Sequence, residues 1–292
     1  MRTISFIHYK GGVGKTTAAA LLCRVLSAAG YRVLAVDLDR YQHHLSTLLG
    51  GALSPELCEG WTSSAYASGV LSNMLCKTSK DNLDYITMCS SLCDPETRDA
   101  FQLRKRFAFF NLRARYEYVL IDTPPGFGPV HELAMHASDD IIVPTDLSPI
   151  SLSAVERFCT ELDRRPCLSA ARCHILRHFL VSTSNEDIVL QKKIKGRLSA
   201  HSLSAHDRVR AVTSGNPDFI KLPLPRSIVS QLALIAADLL TADRTRLQNA
   251  AAGLCGLDET ESQKDRKAMV FDELINIPPP VILATDVSIA AS

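Results

Sequence analysis

No cysteine in this sequence stands in a CxxC pair. The nine that occur, at 23, 58, 76, 89, 93, 159, 167, 173 and 255, are scattered and odd in number. That usage fits reduced thiols better than a disulfide framework. Cys89 and Cys93 are four apart, but no second Cys/His pair stands nearby to complete a metal site, so buried thiols are the expectation. Long apolar runs are missing as well: nothing approaches the ~18–20 residues of a membrane span. The first apolar run, TISFI, breaks at once into a glycine-rich loop and does not read as a secretion signal. Charge of one sign is also lacking, with 32 Lys and Arg against 31 Asp and Glu, so the overall balance names no partner until it is mapped along the chain. Repeats and low-complexity tracts are absent. These absences point to a cytoplasmic globular protein, and 292 residues suffice for one large domain or a domain with an appendage.

What is present alternates. TISFIH, YRVLAVDLD, YEYVLIDTPPG, DDIIVPTDLS, HILRHFLVSTS and DFIKLPLP read as strands. KTTAAALLCRVLSAAG, which stops at Gly30, reads as a helix. Further helices are expected over roughly 97–113, 150–163, 186–199 and 227–249. The alternation predicts an α/β fold, a mostly parallel twisted sheet with helices on both faces. Ligands of such sheets bind at the carboxyl ends of the strands. The loop at 8–19, Asp37 with Asp39, and Asp122 all fall at such ends. Residues 1–249 form the expected domain. Residues 250–292 turn polar, then proline-rich, and read as a C-terminal extension, partly disordered or docked, with one short helix at 264–276.

The segment HYKGGVGKTTAA carries the chemistry. A phosphate-binding loop wants Gly, four residues, then Gly-Lys-Ser/Thr. Gly14, Lys15 and Thr16 supply the end, but Tyr9 stands where the opening Gly belongs, and a second lysine, Lys10, follows it. Gly11, Gly12 and Gly14 let the backbone curl its N–H groups onto one anion, and the following helix adds its positive end. Lys15 would pair with β/γ-phosphates, Thr16 would offer its hydroxyl to Mg²⁺, and Asp122 would stand behind that ion. Asp37 and Asp39, two apart on a strand, point the same way.

KGGVGKTT resembles the deviant phosphate loop of the ParA/MinD family, and the resemblance runs over roughly residues 1–250. It implies an ATPase that binds ATP and Mg²⁺ through Lys10, Gly11, Gly12, Val13, Gly14, Lys15, Thr16 and Thr17, with Lys10 reaching across an ATP-dependent homodimer to the partner's phosphates. Lys10, Lys15 and Asp39 would then be catalytic, with Asp39 positioning the attacking water, and Thr16, Asp37 and Asp122 would serve the metal. VLIDTPPGFG is similar to the family's switch segment almost letter for letter. IKLPLPRSIVSQLA resembles the loop that closes over adenine, which implies Pro223, Leu224, Pro225 and Arg226. The match has departures: Arg40-Tyr41 replaces a single proline between Asp39 and Gln42, and Ser182 stands where Asn is frequent.

Family members move different things, and charge helps to choose between them. Residues 157–226 hold thirteen Lys/Arg against six Asp/Glu, as contact with a phosphate backbone requires. Lys192, Lys193, Lys195, Arg197, Arg208 and Arg210 are the DNA-binding candidates, and a solvated helix face is the other reading. Only seven residues precede His8, so an operator-binding domain ahead of the loop is not expected. The 264–276 helix would carry Asp265, Asp272 and Glu273 on its polar face, where a membrane-surface helix wants Lys/Arg. The expectation is a ParA-like switch that binds DNA non-specifically and partitions a plasmid or chromosome, answering to a cargo-bound, ParB-like adaptor. The alternative is a MinD-like or cargo-positioning ATPase that recruits a protein or membrane partner without DNA.

Overall fold

A computed structural model describes residues 1–39, 44–50, 75–78, 80, 82–87, 101–165, 171–180, 197–204, 209 and 219–255. The apolar run after Met1 forms β1 (Arg2–Phe6). It is followed by β2 (Val33–Asp37), β3 (Cys76–Lys77), β4 (Leu83–Thr87), β5 (Tyr118–Asp122), β6 (Asp140–Thr145), β7 (Arg172–Leu180) and β8 (Leu198–Ser204). All join one sheet in the order β3-β4-β2-β5-β1-β6-β7-β8. Every pairing is parallel except the short edge pair β3–β4. Residues of β2, β5 and β6 are buried without exception, which is why these strands read as continuous apolar runs rather than alternating ones.

The helices are α1 (Lys15–Ala28), α2 (His44–Leu48), α3 (Gln102–Phe109), α4 (Leu112–Arg115), α5 (Pro129–Ala137), α6 (Pro149–Arg164), α7 (Arg226–Asp238) and α8 (Arg244–Leu254). On one face α1 packs with α2, α7 and α8. On the other, α3, α4 and α5 share a core with β2, β4 and β5, and α6 closes a second core over Ile7, Ile141, Val143 and Ile175. Helix α1 is buried almost all round, so its Ala/Leu run needs no polar stripe.

The sequence expectations need four corrections. DFIKLPLP is not a strand: residues 219–222 turn, and Pro223 and Pro225 lack the N–H a ladder needs. The helix expected over 186–199 gives way at Leu198 to β8, its earlier residues lying outside those described. The helices expected over 97–113 and 227–249 are each two, broken where Asn111 (φ 49°) and Thr241 (φ 55°) turn left-handed. Helix α8 runs through Leu254. Residues 256–292, with the helix expected at 264–276, lie outside those described.

Candidate nucleotide site

Strand register brings the predicted chemistry to one edge. Asp37 lies opposite Asp122, and Phe6, the last residue of β1, lies opposite Asp122 on the other side. The chain then curls through the glycine loop into α1. Gly12 and Gly14 take φ of 76° and 92°, where a side chain would be strained. Gly14 caps α1 with no side-chain acceptor on the first-turn amides, so those N–H groups face the loop as an anion site. Lys15 opens the helix and is only 6% exposed. Burial lowers its pKa, opposed by Asp122 and Asp39.

Thr16 donates its hydroxyl to Asp122 Oδ2 at 2.6 Å. Burial and the Asp37 charge push Asp122 up to about 8, against the pull of Thr16 and Lys15. Its other oxygen, Oδ1, is buried with no hydrogen-bond partner. An orphaned, desolvated carboxylate oxygen beside a threonine hydroxyl is the donor set a Mg²⁺ ion would use. Among the described residues no three His, Cys, Asp or Glu converge as a metal cluster, so such an ion would lean on Thr16, Asp122 and the phosphates. Asp37 plays a second part: it accepts the amides of Asp39 (3.0 Å) and Ser46 (3.0 Å), shaping the turn after β2. Asp39 is buried just beyond the strand end. Arg40, Tyr41 and Gln42 lie outside the described residues.

Lys10 is set apart from Lys15. Its ammonium donates to Asp146 Oδ2 (2.8 Å) and Ser148 Oγ (3.1 Å) at the start of α6. Burial would raise the Asp146 pKa, yet the Lys10 and Ser148 hydrogen bonds prevail and hold it at about 2. The Lys10 amide donates to His8 Nδ1 (2.9 Å), and His8 Nε2 meets Ser151 Oγ (3.2 Å). Two further histidines brace the edge. His131 Nδ1 accepts the Gly128 amide and its Nε2 meets the Pro124 carbonyl, while His178 Nδ1 meets the Val13 carbonyl at 2.9 Å. Tyr9 stacks on Phe127 at 5.2 Å, and both lean on Phe158. The sequence reading missed Asp146, the three histidines and this stack. Ser148-Pro149 as a helix start was the one legible signal among them, since nothing in spacing links His8, His131 and His178.

The segment expected over adenine packs into the fold. Leu224 and Pro225 are buried, Pro223 and Arg226 exposed, and the Leu224 amide donates to the Leu254 carbonyl. Arg24 of α1, also unforeseen, donates to the carbonyls of Phe219 (2.7 Å) and Leu222 (2.6 Å). Of the DNA candidates, Arg197 leads into β8 and pairs with Asp163 at 2.9 Å. Lys192, Lys193, Lys195, Arg208 and Arg210 lie outside the described residues, as does Ser182.

A family model described as "AAA domain" matches residues 1–165. The chromosome partitioning protein ParA of Caulobacter vibrioides is 30% identical over 170 residues, 56% of this chain and 63% of that protein. The chain spans about three fifths of the length of the curated relatives it matches. A ParA family ATPase from Chlorobium tepidum superposes with a TM-score of 0.66 at 20% identity, covering 82% of this chain and 98% of that one. MinD from Pyrococcus horikoshii, solved with Mg-ADP, gives 0.58 at 19%, covering 90% and 99%.

Proposed function

The chain belongs to the ParA/MinD family of P-loop ATPases with a deviant Walker A loop, and from that premise we propose that it is a Mg²⁺-dependent ATP switch that dimerises and partitions or positions cargo. The observation that carries this reading is the convergence of Lys15, the Thr16–Asp122 pair and Asp39 on the uncapped start of α1. The α1 amides and Lys15 would grip the β- and γ-phosphates, and Asp39 would orient the water that attacks the γ-phosphorus as ADP departs. Mg²⁺, held through Thr16 and Asp122, would supply charge neutralisation for the phosphates. Lys10 is the cation to be lent to a second copy, where added positive charge stabilises the transferring phosphoryl group. To reach it, Lys10 must leave Asp146 and Ser148.

The ATP-bound dimer would hold DNA non-specifically, and a ParB-like adaptor on the cargo would stimulate hydrolysis. The rival reading, a positioning switch with no DNA, draws support from the likeness to MinD. No described helix is long and apolar enough to cross a membrane. The test is the mass of the purified protein in solution with ADP and with a slowly hydrolysed ATP analogue, with and without random DNA. A dimer that forms only with the analogue and fails in Lys10→Ala supports the switch. A monomer under every condition overturns it. DNA retention by the dimer, lost with rising salt, chooses between the two readings.

A further inference from the structure

Among the described helices, α3 and α4 carry the most basic surface. Residues 101–116, FQLRKRFAFFNLRARY, hold five Lys/Arg and no Asp or Glu. Arg106 is buried, but Arg104, Lys105, Arg113 and Arg115 are exposed. Four other exposed arginines find carboxylates, Arg32 with Glu117, Arg164 with Glu161, Arg165 with Glu132 and Arg244 with Asp238, whereas Arg226 stands alone and exposed among the described residues. Arg104, Arg113 and Arg115 have no hydrogen bond or ion pair among the described residues. Among the described residues, two of the three exposed large hydrophobic side chains stand here: Phe101, at 48% just before α3 and against the His136 ring, and Phe109, at 52% at the end of α3. Phe101, Lys105 and Phe109 recur every four residues, so they share the outward stripe of α3. Beyond α4 opens a cavity of about 390 Å³ lined by Arg32, Lys77, Arg115 and Asn82 around Asp84. The Asp84 carboxylate is already matched by Tyr116 and Lys77, and Arg32 by Glu117, which leaves Arg115 as the cavity's unpaired cation among the described residues.

We propose that the α3–α4 surface, with the cavity beside Arg115, is a docking site for an acidic segment of a partner protein that carries apolar side chains among its carboxylates. Exposed phenylalanine set among arginines is the make-up of protein interfaces, in which aromatic residues and Arg are enriched and Lys is depleted. Arg forks suit carboxylates in pairs. A bilayer fits less well: the apolar face of α3, with Leu103 and Phe107, is spent on the core, and an interfacial helix needs that face for lipid. The site is distant in sequence from the phosphate loop and does not depend on the switch reading.

The test uses the full chain and a fluorescent synthetic peptide of repeating Glu-Glu-Leu, read by anisotropy, with poly-glutamate, single-stranded oligo-dT and phosphatidylglycerol vesicles as competitors. The inference expects saturable binding to the Glu-Glu-Leu peptide, weaker binding of poly-glutamate, and a loss of roughly tenfold or more in Arg113→Glu/Arg115→Glu. Phe109→Ala should weaken the peptide and spare poly-glutamate. All the substituted side chains are exposed, and a far-ultraviolet spectrum checks that the variants fold. A Lys15→Ala protein should bind the peptide undiminished, which separates this site from the nucleotide. The proposal is overturned if the peptide does not bind, if the arginine reversal leaves its affinity unchanged, or if oligo-dT or vesicles bind more tightly through the same arginines.

Discussion

Lys15 shows how much of this site is set by one side chain. It is buried beside two carboxylates, and burial alone would push it toward neutrality. Replacing it with alanine leaves Asp122 and Asp39 facing an incoming triphosphate unshielded. Calorimetric titration of Lys15→Ala with Mg-ATP should show affinity falling by at least about a hundredfold, while the nucleotide-free protein stays folded. A second expectation concerns acid. His8 is 1% exposed, and burial, then the Lys15 charge, lowers its pKa from 6.5 to about 4. The unfolded chain therefore takes the proton first. The His8 contribution to stability is fully present above pH 6.5 and falls as pH drops toward 4, while Asp122, held up near 8, takes its proton first in the folded chain and contributes in the opposite direction. Asp146, held at about 2 against 3.8, adds a more acidic loss between those values. Measured down the pH scale, the urea midpoint of the parent relative to His8→Gln should fall across the first window, and relative to Lys10→Met across the second.

At the scale of elements, Arg24 is the unforeseen strut. It ties α1 to the turn at 219–222 through two carbonyls and lies over the Phe219 ring at 5.1 Å. Arg24→Met keeps most of the volume but strips both donors, so it should cost about 2–4 kcal/mol, read as a lower urea midpoint with an unchanged slope. The contrast with what the sequence made legible is physical. β1, β2, β5 and β6 announce themselves because strands buried on both faces must be apolar throughout. β8, LSAHSLS, sits at the sheet edge with small polar residues, and β3 is two residues long; neither carries a pattern to read. The glycines, Lys15 and Thr16 sit in one short motif and Asp122 ends an apolar strand, so their placement at the same sheet edge was legible in the sequence. Arg24, Asp146 and His178 were not, because their partners are 195, 136 and 165 residues away.

Across the whole molecule, the sheet order places the glycine loop after β1 between β5 on one side and β6, which leads into α6, on the other. The Tyr9–Phe127 stack joins the first two, and Phe158 together with Arg157, whose guanidinium lies 5.1 Å from the Tyr9 ring, adds the third. Phe127→Ala should leave nucleotide affinity within about threefold, since no phosphate ligand is touched. Stopped-flow traces with a fluorescent nucleotide should then resolve two relaxations in the variant, against one in the parent. The reason lies in that aromatic stack. Rings in face contact cannot slide apart without exposing each other, so the gripping loop and the segment after Asp122 behave as two leaves riveted on one pin. Movement at the glycine loop and at the start of α6 would keep a common clock, felt at the surface in a single beat.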